Sequence, residues 1–330
     1  MKRRLAAGLL CGVFLLVGSP SASADPPGPT DYRSEVVSIE PPTVGIEVEI
    51  IGGDSFVLLR VDEGLGIVEV VGYRGEPYLR FLPDGTVEEN QRSPSKFLNE
   101  ERYGTELTPT ADAGGEPDWH VVAGDGAYAW HDHRTHWMNP RPPPGLGPGD
   151  RVAEGVVPLL VDGVEVDITV TSTWEDRPSR LPVAVGFAAG LALAVVAWLR
   201  RRIAGLLLAM SLAAVAAGAV AYLSVPSETG PSWSLWGLPL SAALLAAMVL
   251  AYGNGFGLVT RRRSIFLLVA ALELAAWGIL HWSWLWPAIL PTTLPYWLDR
   301  VVAATVLVGA LGAAATAVAS AGSEQDMPIG

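Results

Sequence analysis

The chain has 330 residues, half of them hydrophobic, a formal net charge of −12 and one cysteine, Cys11. So acidic a chain lacks the basic footprint that nucleic acid requires, which excludes nucleic acid as a partner. Cys11 falls in an N-terminal leader, so the chain left after cleavage has no disulfide, no thiolate nucleophile and no cysteine ligand for zinc, iron–sulfur or blue copper.

Lys2, Arg3 and Arg4, the apolar run Leu5–Val17 and the small-x-small site Ala22-Ser23-Ala24 predict a secretory signal peptide over residues 1–24. Residues 25–180 hold 29 acidic and 12 basic residues, a net of −17, and the rest of the chain is nearly all apolar. An acidic soluble half and an apolar half are therefore expected to be separate domains.

Residues 33–178 alternate apolar and polar side chains in the period of strands. Val44–Ile50, Ser55–Val61 and Gly66–Val71 read as strands separated by turn residues. Asp162-Gly163 joins Val156–Val161 to Val164–Trp174, and Asp-Gly between alternating runs is a strong hairpin signal. The expected fold of 25–180 is all-β and sandwich-like; two smaller β units meeting near Gly114-Gly115 fit the pattern equally. Arg92–Gly104 reads as a polar excursion with one helical turn, and the proline-rich Asn139–Asp150 as an extended connector.

Three of the five histidines lie in "AYAWHDHRTHWM", Ala127–Met138, and a fourth, His120, is just upstream. If Asp125-Gly126 closes a two-residue hairpin, His120 opposes His131 and Asp118 opposes His133. Opposed residues share a face with Cβ atoms about 4.5–5.5 Å apart. That register gathers Asp118, His120, His131 and His133 in one patch, and His136 and Met138 can fold back over it. Imidazoles with a carboxylate suit Cu²⁺ or Zn²⁺, and a thioether adds affinity for Cu⁺. Copper is the favoured ion and zinc the second. The competing reading is structural: Tyr128, Trp130 and Trp137 pack while the histidines bond backbone carbonyls. Arg134 is awkward beside a cation but alternates to the other face.

From residue 181 five apolar runs follow, at about 182–199, 203–223, 236–256, 264–284 and 301–321, each near the length of a hydrocarbon core. Arg200–Arg202 and Arg261–Arg263 occupy the two tight loops that the positive-inside rule assigns to the cytoplasm. The domain 181–322 is then a five-helix transmembrane bundle, with 25–180 extracytoplasmic and a cytoplasmic tail at 323–330. Trp233, Trp236, Trp282, Trp284, Trp286 and Trp297 map to outer helix ends, as an aromatic belt would. Glu273 is an acid deep inside a span, expected to bond a neighbouring helix. His281, eight residues on, lies about 80° round the same helix. No catalytic signature is present: there is no phosphate loop, no thiol and no recognisable Ser/His/Asp pattern.

"GYRGEPYLRFLPDGTVEENQRSPSKFLNEERYG" followed by "YAWHDHRTHWM" resembles an uncharacterised group of exported multi-pass membrane proteins of high-GC Gram-positive bacteria. The resemblance covers most of the chain and implies a signal, an outer β-domain and several spans. It carries His131, His133, His136 and Met138 as a motif, and the copper-handling neighbourhood of such proteins implies copper. The expected protein is thus a plasma-membrane one whose partners are the lipid bilayer and, through the outer domain, other envelope proteins. It either binds a transition metal outside the cell or serves as a non-catalytic envelope scaffold.

Overall fold

The computed structural model describes residues 27–104, 106–252 and 260–322; the expected signal peptide over 1–24 and the expected tail 323–330 lie outside the described residues. Ten strands precede the apolar helices. They are β1 (Tyr32–Glu40), β2 (Ile46–Ile51), β3 (Phe56–Val61), β4 (Val68–Val71), β5 (Pro77–Phe81), β6 (Val87–Asn90), β7 (Trp119–Ala123), β8 (Ala127–Trp130), β9 (Arg151–Val161) and β10 (Val164–Trp174). They form a seven-stranded sheet in the order β1-β10-β9-β4-β5-β6-β7 and a three-stranded sheet β2-β3-β8, with every pairing antiparallel.

Alternation decides which side chains meet between the sheets. Leu59, Val61, Tyr128 and Trp130 of the small sheet pack on Val70, Leu79, Phe81, Leu159, Ile168 and Val170 of the large one. One core therefore binds both sheets into a sandwich. The hairpin at Asp162-Gly163 forms as its sequence predicts: Val161 opposes Val164, and both turn residues have positive φ, 48° and 81°.

The small sheet is covered on its second face as well. Phe56, Leu58 and Ala129 are buried there in a separate cluster, so β3 is apolar almost throughout rather than alternating.

The polar excursion contains one short helix, α1 (Pro94–Leu98), capped by Ser93, whose hydroxyl accepts from the Ser95 amide at 3.1 Å. The buried Glu76 carboxylate accepts from both Ser93 and Ser95 hydroxyls at 2.8 Å, pinning the excursion to the sheet. No regular element occurs in the proline-rich connector.

Among the described residues, five helices are long and apolar enough to cross a membrane: α2 (Leu181–Arg200), α3 (Ile203–Leu223), α4 (Ser234–Tyr252), α5 (Thr260–Leu280) and α6 (Tyr296–Gly322). The far end of the third expected span, 253–256, lies outside the described residues. Small residues let backbones approach closely, as helix packing in lipid requires. A Cβ at Gly186 or Gly190 would come within 2.7 Å of α6 carbonyl oxygens, and Thr305 donates to the Gly186 carbonyl at 3.1 Å.

Two boundaries differ from the sequence expectation. α5 stops at Leu280, and a 3-10 turn, Trp282–Leu285, replaces its last expected turn. α6 starts at Tyr296, five residues before the expected start at about 301, because the Pro295 carbonyl accepts from the Leu298 and Asp299 amides and opens the helix. Trp282, Trp286 and Trp297 are exposed as a belt would be, whereas Trp284 is buried beside His281.

The sandwich sits on the loops at one end of the bundle. Thr30 and Ile289 exchange backbone hydrogen bonds of 3.0 and 2.9 Å, and the Asp31 carboxylate accepts from the Ala288 amide at 2.8 Å. β8 packs against the Ser227–Thr229 turn. The Arg200–Arg202 turn is at the other end of α2 from the sandwich, and Arg201 there stacks on Trp198 at 4.2 Å.

Candidate metal centre

The segment from Asp118 to Met138 does not fold as a hairpin. β7 pairs with β6, setting His120 opposite Glu89, while β8 pairs with β3 in the other sheet. A type I′ loop needs positive φ at both central residues, and of Asp125 and Gly126 only Gly126 has it, at 71°. Gly126 instead donates to Gly85 and accepts from Val61, both at 2.8 Å, as the chain crosses from one sheet to the other. His120 and Asp118 stay exposed on the large sheet, 3.5 Å from each other, and do not join the other histidines.

The turn after β8 brings the remaining three together. The Asp132 carbonyl accepts from the Thr135 amide and hydroxyl at 3.1 and 2.8 Å, closing that turn tightly. It is held to the large sheet by Ser34 of β1, which donates to the Thr135 carbonyl at 2.6 Å. The chain then reverses, and His136 returns to His131. One ring nitrogen each of His131, His133 and His136 lies within 4.8 Å of the others. Met138 is half-buried two residues further on.

Each imidazole is oriented by a backbone carbonyl. His131 Nδ1 is 2.5 Å from the Ser55 oxygen, His136 Nδ1 is 3.0 Å from the Trp137 oxygen, and His133 Nε2 is 3.0 Å from the Glu101 oxygen. A carbonyl only accepts, so those three nitrogens carry the protons. With that tautomer at both rings, His131 Nε2 and His136 Nε2 are lone pairs that face each other at 2.9 Å and repel unless a cation lies between them; with the other tautomer at either ring, one Nε2 donates to the other.

A proton is a poor candidate. Burial lowers the pKa of His131 to about 4, and burial with the neighbouring His131 lowers that of His136 to about 2. Burial lowers His133 too. The rings are therefore neutral near pH 7, the state in which imidazole binds a metal.

Asp132 is the fully buried hub beneath the cluster. Arg134 grips its carboxylate through Nε at 2.8 Å and Nη2 at 2.7 Å, and the Trp130 indole donates at 3.0 Å. Burial alone would raise its pKa, but the Arg134 charge and these donors hold it down to about 2. Arg134 thus lies over Tyr73, the ring that stacks on His133, and donates to the Val71 carbonyl, with its charge matched by Asp132.

Three contributors from the excursion carry no signal in the sequence. Glu101 supplies the carbonyl for His133, Arg102 pairs with the buried Asp54 at 2.5 Å, and Tyr103 meets His136 edge-on at 6.4 Å. No spacing or periodicity links Glu101–Tyr103 to a segment about thirty residues later.

Gly155 of β9 holds the turn by having no side chain: a Cβ there would sit 2.0 Å from the Arg134 carbonyl oxygen. Gly155→Val is expected to lower stability by about 1–3 kcal/mol, the usual cost of overpacking, and to displace the histidines. Gly147→Ala, which meets nothing within 4 Å, is the control. A thermal melt unchanged between them contradicts the clamp.

Glu273 and His281 form no common site with each other. Glu273 accepts from Ser241 of α4 at 3.0 Å, the expected bond to a neighbouring helix. His281 Nδ1 bonds the Trp277 carbonyl at 2.9 Å, between the Trp277 and Trp284 rings.

The chain matches no protein-family model, no curated protein and no solved structure. Among the described residues it combines a β-domain, five helices long and apolar enough to cross a membrane, and a three-histidine cluster, with His131 and His136 buried and His133 half-buried, that could hold a metal ion.

Proposed function

We propose that the protein is a membrane-anchored metal binder of the cell envelope, which takes Cu²⁺ first and Zn²⁺ second for storage, delivery or sensing. The observation that supports it is the approach of His131 Nε2 to His136 Nε2 at 2.9 Å, each ring held by a carbonyl at its Nδ1. Metal-bound histidines are oriented in the same way, by an acceptor on the far nitrogen. At a metal–nitrogen bond of about 2.0–2.1 Å, the 2.9 Å separation subtends about 90°. That angle suits a tetragonal Cu²⁺ better than tetrahedral zinc. Met138 is a candidate further ligand, and a thioether would extend the site to Cu⁺.

The test is a titration of the full chain in detergent, stripped of metal, with Cu⁺, Cu²⁺ and Zn²⁺. One ion per chain at sub-micromolar Kd, roughly −8 kcal/mol or better, is the expected result. Binding weaker than about 100 μM sinks it and leaves a packed histidine cluster in an envelope scaffold.

Orientation belongs to the same proposal. The loops 224–233 and 281–295 on the sandwich's side lack lysine and arginine, and the helix ends there carry only the scattered Arg177, Arg180 and Arg300, whereas three consecutive arginines sit at each of the two turns at the other end, so the positive-inside rule favours an outer β-domain in the plasma membrane. This fits the exported multi-pass group that the chain resembles. With Cys11 in the leader, a cysteine placed at exposed Val164 should react with a membrane-impermeant maleimide on intact cells. One at Arg200 should react only after lysis. The reverse pattern refutes the orientation.

A further inference from the structure

One ion pair, Arg102 with Asp54, joins two segments that meet the histidine cluster. Asp54 is fully buried, and its carboxylate lies 2.5 Å from Arg102 Nη2. Each partner is one residue from a carbonyl that holds an imidazole. Asp54 precedes Ser55, whose oxygen is 2.5 Å from His131 Nδ1. Arg102 follows Glu101, whose oxygen is 3.0 Å from His133 Nε2. The same guanidinium donates through Nε to the Tyr103 hydroxyl at 3.2 Å, and the Tyr103 ring meets His136 edge-on. All three imidazoles therefore touch a residue next to the pair in the chain.

The two segments are fixed differently. Backbone bonds hold the turn before β3: the Ser34 amide donates to the Gly53 carbonyl at 2.8 Å, and the Ser55 amide to the Ile51 carbonyl at 3.2 Å. Glu101–Tyr103 belongs to no strand or helix and is tied to that turn through Arg102. A planar guanidinium fixes direction as well as distance, which a lysine ammonium does not. The gain is in geometry, because a buried ion pair is often no more stable than an apolar pair of the same volume. Acceptors on the far nitrogens orient metal-binding imidazoles. The spacing of these two carbonyls then sets the angle between the His131 and His133 rings.

We propose that Arg102 and Asp54 are positioning residues of the metal centre. Given the metal reading above, on which this rests, their pair holds the Glu101 and Ser55 carbonyls at the spacing that turns His133 and His131 toward one ion.

The test compares Arg102→Gln and Asp54→Asn in the full chain in detergent, by Cu²⁺ titration and copper paramagnetic resonance. Both variants are expected to weaken Cu²⁺ by about tenfold or more, the cost of losing a group that orients a ligand, and to shift the copper spectrum alike. If the two charges acted on the ion only through space, losing the cation would tighten binding and losing the carboxylate would loosen it. Effects of opposite sign therefore overturn the proposal, as does a spectrum that neither variant moves. Each single variant strands a buried group, so Asp54→Asn with Arg102→Met removes both charges together and should keep the fold. Wild-type copper binding in that double variant also overturns the proposal. Arg80→Gln, which breaks the ion pair with Glu88 on the large sheet, controls for lost stability and should leave the copper spectrum unchanged. The same shift in this control would show a general loosening and sink the positioning role. Absence of copper binding in the unaltered chain removes the metal reading itself, an outcome distinct from the others.

Discussion

Replacing His131 and His136 together with alanine is expected to weaken Cu²⁺ binding by at least about 100-fold, because loss of even a group that only orients a ligand costs about 10–100-fold. Removing these two side chains deletes both facing lone pairs and leaves only His133. The partner experiment is His120→Ala, expected to change affinity by less than about twofold, since His120 is exposed on the other sheet. The pair of variants separates two arrangements. A hairpin would place His120 in the site, and its loss would then matter as much as that of His131. Isothermal titration of each full-length variant measures the difference. Equal losses for His120→Ala and His131→Ala would contradict the crossing between sheets. No loss for the double variant would remove the metal centre.

The second large effect is expected at Asp132, which touches no proposed ion. Asp132→Ala leaves the mostly buried Arg134 guanidinium without its carboxylate, and breaking a buried pair by one partner costs about 3–5 kcal/mol. It also orphans the Trp130 indole and the amide of Arg134. Replacing both partners, Asp132→Leu with Arg134→Met, should recover part of that loss, since the pair's desolvation is removed with it. Recovery stays incomplete because the indole and amide remain unmatched.

The same charge makes stability depend on pH. Asp132 has a folded pKa near 2, below its unfolded value of about 3.9. Its contribution to stability is therefore complete above about pH 4 and is lost as pH falls through 2. Thermal melts of wild type and Asp132→Asn should converge toward the bottom of that window. Curves that stay parallel from about pH 7 to 2 would show that the carboxylate is not ionised in the fold.

The alternating and continuous apolar periods were sufficient to identify an all-β half and the five helices, whereas the choice of one sandwich over two β units was made by the core that joins both sheets. Strand period two and spans of about 20 residues are local properties, and they survive whatever the chain packs against. The same holds for Asp162-Gly163, where both residues accept positive φ and the hairpin closes by itself. Asp125-Gly126 carries the same dipeptide and does not close one. There the bonds of Gly126 to Gly85 and Val61, from two different sheets, override the local preference.

The histidine-rich segment was legible as a cluster, but its membership was not. His131 and His133 stand two positions apart, and alternation places them on one face only while the strand lasts. β8 ends at Trp130, so the histidines belong to a turn, where no period applies. Their convergence depends on Asp132 being neutralised by Arg134, on Gly155 yielding space to a carbonyl, and on Glu101 arriving from the excursion. Composition and hydrophobic period alone thus determined that this is a β-domain on a membrane bundle, because burial of apolar surface acts residue by residue along the chain. Which imidazoles meet, and which of their nitrogens remain open, was decided only by tertiary structure, because the carbonyls and charges that orient the rings are contributed by segments far apart in sequence.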